Sequence, residues 1–352
     1  MSWTPLHLHT HYSLLDGLSK PSQVAERCSS LGYTSCALTD HGTISGAVAF
    51  TQAMKKKNIK PILGCEFYLS QQDCKIKSDE NRSLSHLCVL AKNRKGWDSL
   101  IQAVSKSNDE ENYYYKPRLD LAELNLFADG NLISYSGHLG SDLANAIFVD
   151  PKSAYNAKTE EEAKRYTHPN WDSEVLKIAN RYRTIFGKEN FFIEIQAIDQ
   201  GNSPAAKLVV QGLRYIAKKY KFQTVATADS HYPEKKDAND QLLLLCSALK
   251  TTLPKIKKKL RESGEAAFAG FLKSNNFHIP SLEEIQNVNT AQEIENSMLI
   301  ASMCEDYNIL GKPMLPKFKC PKDFSEDQYL RHLCREGWKS RLAPTGKVNT
   351  EQ

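Results

Sequence analysis

Short apolar runs alternate with amphipathic stretches over the first 230 residues. The runs predict strands at Leu6–His9, Ser35–Thr39, Pro61–Leu69, Leu87–Ala91, Asn131–Ser136, Phe191–Ile195 and Thr224–Ala228. Helical patterns lie between them. One follows Pro21, with Val24, Cys28 and Leu31 on a single face and Gly32 just past its end. Another opens with Ser203-Pro204, a capping residue followed by proline at the first helical position. Strand–helix alternation predicts a parallel sheet with helical crossovers, and seven such units suit a closed or nearly closed barrel.

Residues 150–190 are polar and read as a helical insertion between barrel units. Beyond residue 235 the strand signal stops, and helices are expected near 237–250, 255–273, 282–287, 290–306 and 324–341. The expected organisation is a barrel over 1–235, a helical part packing on it over 236–310, and a proline-marked linker with a further region over 311–352. The last ten residues read as loose.

Composition narrows the class. The formal net charge of +5, from 46 basic and 41 acidic residues, allows a polyanionic partner without requiring one. Nine cysteines occur without a CxxC pair, which argues against a thiolate zinc site and for a reducing, cytoplasmic setting. The start of the chain lacks the pattern of a signal peptide, and no apolar run approaches the roughly 20 residues needed to span a bilayer.

The ten histidines are not scattered evenly. His7 and His9 alternate in one expected strand and so share a face. His41 follows the second strand in ALTDHG, Glu66 ends the third in ILGCEFYL, His138 follows another in ISYSGHLG, and Asp229 and His231 follow the last in TVATADSHY. In a parallel α/β barrel the loops after the strands form one mouth, so these groups are expected to converge there. Imidazole and carboxylate without thiolate suit Zn, Mn or Fe in a hydrolytic role, and such a site suits a phosphate ester.

These segments resemble the PHP (polymerase and histidinol phosphatase) family. HLHTHYS, TDHG, GCE, SGH and DSH occur in the family's order. YSLLDG, HLCVLAKN, YYYKPRLD, NFFIEIQ and FHIPSLEEI resemble one branch, the domain that opens the alpha subunit of bacterial-type DNA polymerase III. The resemblance implies an α/β fold, a distorted (β/α)7 TIM-like barrel, with a mainly helical C-terminal extension. It implies up to three divalent metal ions held by His7, His9, Asp16, His41, Glu66, His86, His138, Asp229 and His231, with Asp229, His231 and His9 central to the reaction. The opening is two residues shorter than the usual polymerase form. His9 rather than His11 is the expected ligand, because Ser13 then keeps its place. His138 stands where many polymerase relatives carry cysteine.

The implied activity is hydrolysis of terminal DNA phosphodiesters by a 3′–5′ exonuclease. The alternatives are a phosphatase of small phosphomonoesters and a structural or partner-binding module. Expected partners are a DNA primer 3′ end, polymerase palm and fingers in the same or a separate chain, and other replisome subunits. Lys116 and Arg118 are candidate phosphate binders, Tyr113–Tyr115 candidate base-stacking or packing residues. The Lys250–Arg261 run reads as a solvated helix face that can touch phosphates. Asp40 is expected to orient a ligand rather than bind metal. No paired-aspartate palm motif is seen, so no nucleotidyl transfer is expected of this chain alone.

Overall fold

The strand runs are short, bounded by turn residues, and apolar on both faces, which marks strands covered by helices on one side and by one another across a barrel on the other. The structure, a computed structural model, describes residues 2–137, 139–198, 200–201, 203–263, 271, 273–311 and 318–345. It divides into two units, 1–309 and 310–352. In the first, the strands are β1 (Ser35–Leu38), β2 (Lys60–Ser70), β3 (Leu84–Ala91), β4 (Arg118–Leu119), β5 (Leu132–Tyr135), β6 (Phe191–Ile195) and β7 (Gln223–Ala226). The path is β1-β2-β3-β5-β6-β7, and the two-residue β4 pairs β2 off that path.

Residues 5–9 close the ring. The Ala37 amide donates to Pro5 O at 2.8 Å and the Thr39 amide to Leu8 O at 3.0 Å. On the other side, the His9 amide donates to Ser230 O at 2.8 Å and the Ser230 amide to His7 O at 3.0 Å. The segment therefore lies in the seam between β1 and the end of β7, which makes a distorted TIM-like barrel. It was expected as a regular strand. It forms only an isolated bridge, Leu8 with Ser230, because its few polar groups are shared between two neighbours in an irregular register.

A second departure concerns direction. β3 runs antiparallel to both β2 and β5, whereas β1–β2, β5–β6 and β6–β7 are parallel. The link from β2 to β3 carries no helix, so the chain turns back as a long hairpin instead of crossing over.

Alternation along the strands sorts side chains into layers. Leu6, Ala37, Ile62, Cys88, Leu90, Ile133, Tyr135, Phe192 and Val225 form one buried cluster inside the barrel. The opposite face of each strand joins the larger cluster under the helices. Those helices include α1 (Pro21–Ser30), α2 (Ala47–Lys56) and α3 (Arg94–Ser107). Between β5 and β6 come α4 (Asp142–Asn145), α5 (Pro151–Asn156), α6 (Glu160–Lys164) and α7 (Trp171–Phe186), where the insertion was expected. α8 (Pro204–Tyr220) starts where Ser203 Oγ accepts from the Ala206 amide.

Residue 235 is not a break in packing. After α9 (Ala238–Ala248), α10 (Leu253–Ser263) and α11 (Leu282–Gln286), helix α12 (Ala291–Met303) brings Ile300 and Ala301 into the interior cluster, joined by Cys304. Lys60 Nζ donates to Ala301 O at 2.8 Å, which ties the start of β2 to that helix. The expected helix over 255–273 is described as far as Ser263. In the second unit, α13 (Glu326–Gly337) has a Ser325 cap and no buried residue. The linker stretch 312–317 and the tail from 346 lie outside the described residues.

Candidate metal centre

The apolar layer ends where polar residues take over the same faces. From Val225 the next inward positions on that strand are Thr227 and Asp229; from Phe192 the next is Glu194; from Ile62 the face runs on to Glu66; from Cys88, on the reversed β3, the next is His86. The reversal explains His86. It stands at the start of its strand, and that start lies at the same end of the barrel as the later residues of the parallel strands. Glu66 was expected at a strand end; it sits inside β2, with four more strand residues beyond it.

Four groups converge. His7 Nε2 and His9 Nε2 lie 3.2 Å apart. His7 Nε2 is 3.4 Å from Glu66 Oε1 and 3.3 Å from Asp229 Oδ1. His9 Nε2 is 3.4 Å from Glu66 Oε2 and 3.2 Å from Asp229 Oδ1. Ligands about 2.0–2.1 Å from a tetrahedral ion stand roughly 3.3 Å from one another, and the two rings have that spacing from each other and from both carboxylates. Glu66 reaches further: Oε1 is 3.0 Å from His86 Nδ1, and Oε2 is 2.5 Å from His41 Nδ1. Its two oxygens thus face different ring pairs, Oε1 towards His7 and His86 and Oε2 towards His9 and His41. His41 Nε2 lies 2.8 Å from Asp16 Oδ2, and His231 Nε2 lies 3.3 Å from the same oxygen. His9, His41 and His231 form one potential ligand group, and His41, Glu66 and His86 another. His41 Nδ1 and Glu66 Oε2 are buried against each other, and neither has a further hydrogen-bond partner among the described residues. These observations fit divalent cations held by oxygen and nitrogen.

Supporting groups set the rings. His7 Nδ1 lies 2.7 Å from Glu194 Oε1; a carboxylate accepts, so Nδ1 carries the proton and Nε2 keeps its lone pair for a cation. Thr227 Oγ1 donates to the same Glu194 oxygen. His231 Nδ1 donates to the Asp229 carbonyl at 2.8 Å. Asp40 accepts from the Thr10 amide, Thr10 Oγ1 and Ser13 Oγ, and Ser13 Oγ lies 3.1 Å from His9 Nδ1. Asp40 therefore orients His9 through Ser13. Gly42 has φ +60°, and a Cβ there would meet Pro117 Cγ at 2.5 Å, so the turn after His41 requires glycine. Asp229 also holds positive φ, 49°, an uncommon state for a residue with a side chain.

Electrostatics follow from burial and mutual proximity. Burial, with the rings of His41 and His231, pushes His9 down to about 3, so it is a neutral ligand at pH 7. Burial works against a charged His41, yet Glu66 and Asp16 hold its proton and push it up to about 10. Burial favours neutral Glu66, but His86, His41 and His7 keep it well below the usual carboxylate range. A fixed array of acids balanced by imidazoles is a site prepared for positive charge.

The structure brings together His7, His9, Asp16, His41, Glu66, His86, Asp229 and His231. His138 lies outside the described residues. His11 is not in the group; its amide donates to Ser19 O instead. Lys116 is at the mouth, with Nζ 3.5 Å from Tyr68 Oη. Arg118 departs from its expected role as a phosphate binder. It is fully buried, and its guanidinium donates to Asn112 O, Asn81 O and Ile76 O. The sequence reading passed over Glu194. Its signal was an acid in the middle of FFIEI, a strand otherwise apolar and buried throughout.

Comparison with known proteins adds the family. The chain is 32% identical to DNA polymerase III subunit alpha of Treponema pallidum, over 97% of this chain and 27% of that protein. It is 30% identical to the subunit of the same name from Helicobacter pylori, over 100% of this chain and 28% of that protein. The chain thus spans about a quarter of the length of the curated relatives it matches. A solved amidohydrolase from Chromobacterium violaceum, with bound SO4 and no metal, aligns with a TM-score of 0.40 at 14% identity over 66% of this chain and 88% of that one. A family model described as the PHP domain matches residues 5–198, more than half of the sequence, and the chain belongs to that family.

Proposed function

We propose that the chain is a metal-dependent phosphoesterase that hydrolyses the terminal phosphodiester of a DNA 3′ end, as a 3′–5′ exonuclease acting in DNA replication. The observation that carries this reading is that His7 Nε2 and His9 Nε2 stand 3.2 Å from each other and 3.2–3.4 Å from carboxylate oxygens of Glu66 and Asp229 at the barrel mouth. A first divalent ion would rest on those four. A second would be held by Glu66 and His86, and a third by Asp16, His41 and His231. Zn, Mn and Fe all suit this donor set. Bound divalent ions supply an activated water and charge stabilisation at the phosphoryl oxygens.

The chain's own groups do the rest. Glu194 and Asp40 fix the tautomers and directions of His7 and His9. Lys116 projects a cation at the mouth, where it would draw in a phosphate. The similarity to DNA polymerase III subunit alpha supports DNA as substrate, with polymerase palm and fingers and other replisome subunits as partners and the cytoplasm as the place of action. Among the described residues no helix is long and apolar enough to cross a membrane.

The test is metal content and hydrolysis measured together. Purified protein should carry divalent metal and shorten a single-stranded or mismatched 3′ end. Asp229→Asn should lower cleavage about a hundredfold and reduce the metal content by the one ion that Asp229 would help to hold. Full cleavage by that variant would refute the assignment. Faster turnover of small phosphomonoesters than of DNA ends would favour a phosphatase instead.

A further inference from the structure

The cleft over the ligand group is not uniformly polar. It encloses about 610 Å³, and its walls include Leu14, Leu15, Tyr113 and Leu249 together with Asp16, His41, Tyr68 and Lys116. Leu14 is 83% exposed and Leu15 49%, in a loop where a tight turn puts the amides of Asp16 and Gly17 onto Ser13 O. Leu15 holds φ +62°, a costly state for a leucine. The turn that sends Asp16 inward thus holds two leucines outward beside the ligand group. Tyr113 and Leu249 are half exposed in the same cleft. The neighbouring tyrosines face other tasks: Tyr114 lies under the Arg118 guanidinium and Tyr115 under that of Arg82.

Four exposed apolar side chains around a charged floor describe an occupant with two ends. One end is anionic, for the cations of the floor and for Lys116. The other is broad, apolar and indifferent to hydrogen bonding. A small sugar phosphate would leave the leucines and Tyr113 in water. We infer that Leu14, Leu15, Tyr113 and Leu249 form a subsite for the base of the 3′-terminal nucleotide, unpaired from any complement. This deepens the nuclease reading and rests on it for the fate of the phosphate. Contact through apolar faces accepts every base, because each presents a π-surface. It also predicts a preference for frayed or single-stranded ends, since a paired base cannot enter a pocket.

Binding and hydrolysis separate the two claims. Fluorescence anisotropy on the metal-loaded chain would compare a labelled single strand ending in a normal nucleotide with one ending in an abasic residue. Both strands would carry a phosphorothioate at the last linkage to suppress cleavage. The abasic end should bind about tenfold more weakly to the wild type. In a Leu14→Ser, Tyr113→Ala double variant the difference should vanish. Both side chains are exposed, and an unchanged melting curve would show that the fold survives. Leu126→Ser, an exposed leucine outside the cleft, should leave the discrimination intact. Equal binding of both ends by the wild type, or full discrimination by the double variant, would overturn the subsite. Discrimination without any hydrolysis would uphold the subsite and defeat only the nuclease reading.

Discussion

Glu194 and Arg118 show how differently two buried charges can serve one fold. Glu194 is held by Thr227 and holds His7, so its charge acts on the ligand group at one remove. Arg118 directs its fork at three backbone carbonyls, of which that of Ile76 also accepts from Asn81 Nδ2. Its pattern in YYYKPRLD looked like a surface phosphate binder, because a two-residue strand that turns arginine inward has no periodic signature. Lysine at this position keeps the charge but cannot meet three carbonyls in a plane. Arg118→Lys should therefore cost roughly 3 kcal/mol of stability, seen in denaturant unfolding, while the KM for DNA stays unchanged where the variant is folded. A raised KM with unchanged stability would return Arg118 to the phosphate.

At the scale of elements, α11 carries an acid-sensitive device. Ser281 caps it, and Glu284 reaches back to the Ser281 amide and to His278 Nε2, at 2.8 and 3.1 Å. Burial favours the neutral acid, but the Ser281 and His278 hydrogen bonds outweigh it and push Glu284 down to about 2. A depressed carboxyl lends stability that is complete above its unfolded value, about 4.3, and is lost as pH falls towards the folded one. Wild type should lose more melting temperature than Glu284→Gln between about pH 5 and about pH 2; identical losses would show that this bond contributes nothing. Elements of this kind were legible in the sequence. The short apolar runs placed β2, β5, β6 and β7 within a residue or two, because burial on both faces leaves a direct imprint. The direction of β3 left none. LSHLCVLA reads the same whether its neighbours run with it or against it, so His86 could be tied to the mouth only by likeness to a family. His7, His41 and Asp229 were legible because each lies at a place where an apolar run meets a charge, and Glu66, inside β2, because its GCE segment resembles the family. Glu194 lies inside such a run, where a lone acid reads as noise.

For the molecule as a whole, the carboxylates and imidazoles at the mouth balance one another, and bound cations would replace the imidazole protons in that balance. Metal binding to the folded state alone stabilises it, by about 2.7 kcal/mol at a free concentration one hundred times the dissociation constant. Stripping metal with a chelator should lower the melting temperature by a few degrees, and adding back Mn²⁺ or Zn²⁺ should restore it. A melting curve indifferent to both would argue against resident cations. The second unit, 310–352, offers a separate readout: α13 buries none of its residues, so its unfolding should not follow the chelator.

One stretch near the start of the chain links closure of the barrel to its chemistry. The backbone of residues 5–9 staples the first strand to the last, while the His7 and His9 rings point at the Asp229 carboxylate within the candidate ligand group. Architecture and reactivity are thus carried by the same few peptide bonds. The His9 amide, hidden in that staple, should exchange its proton with heavy water only when the ring opens at this joint. Its exchange rate becomes an internal gauge of metal occupancy, readable without any substrate.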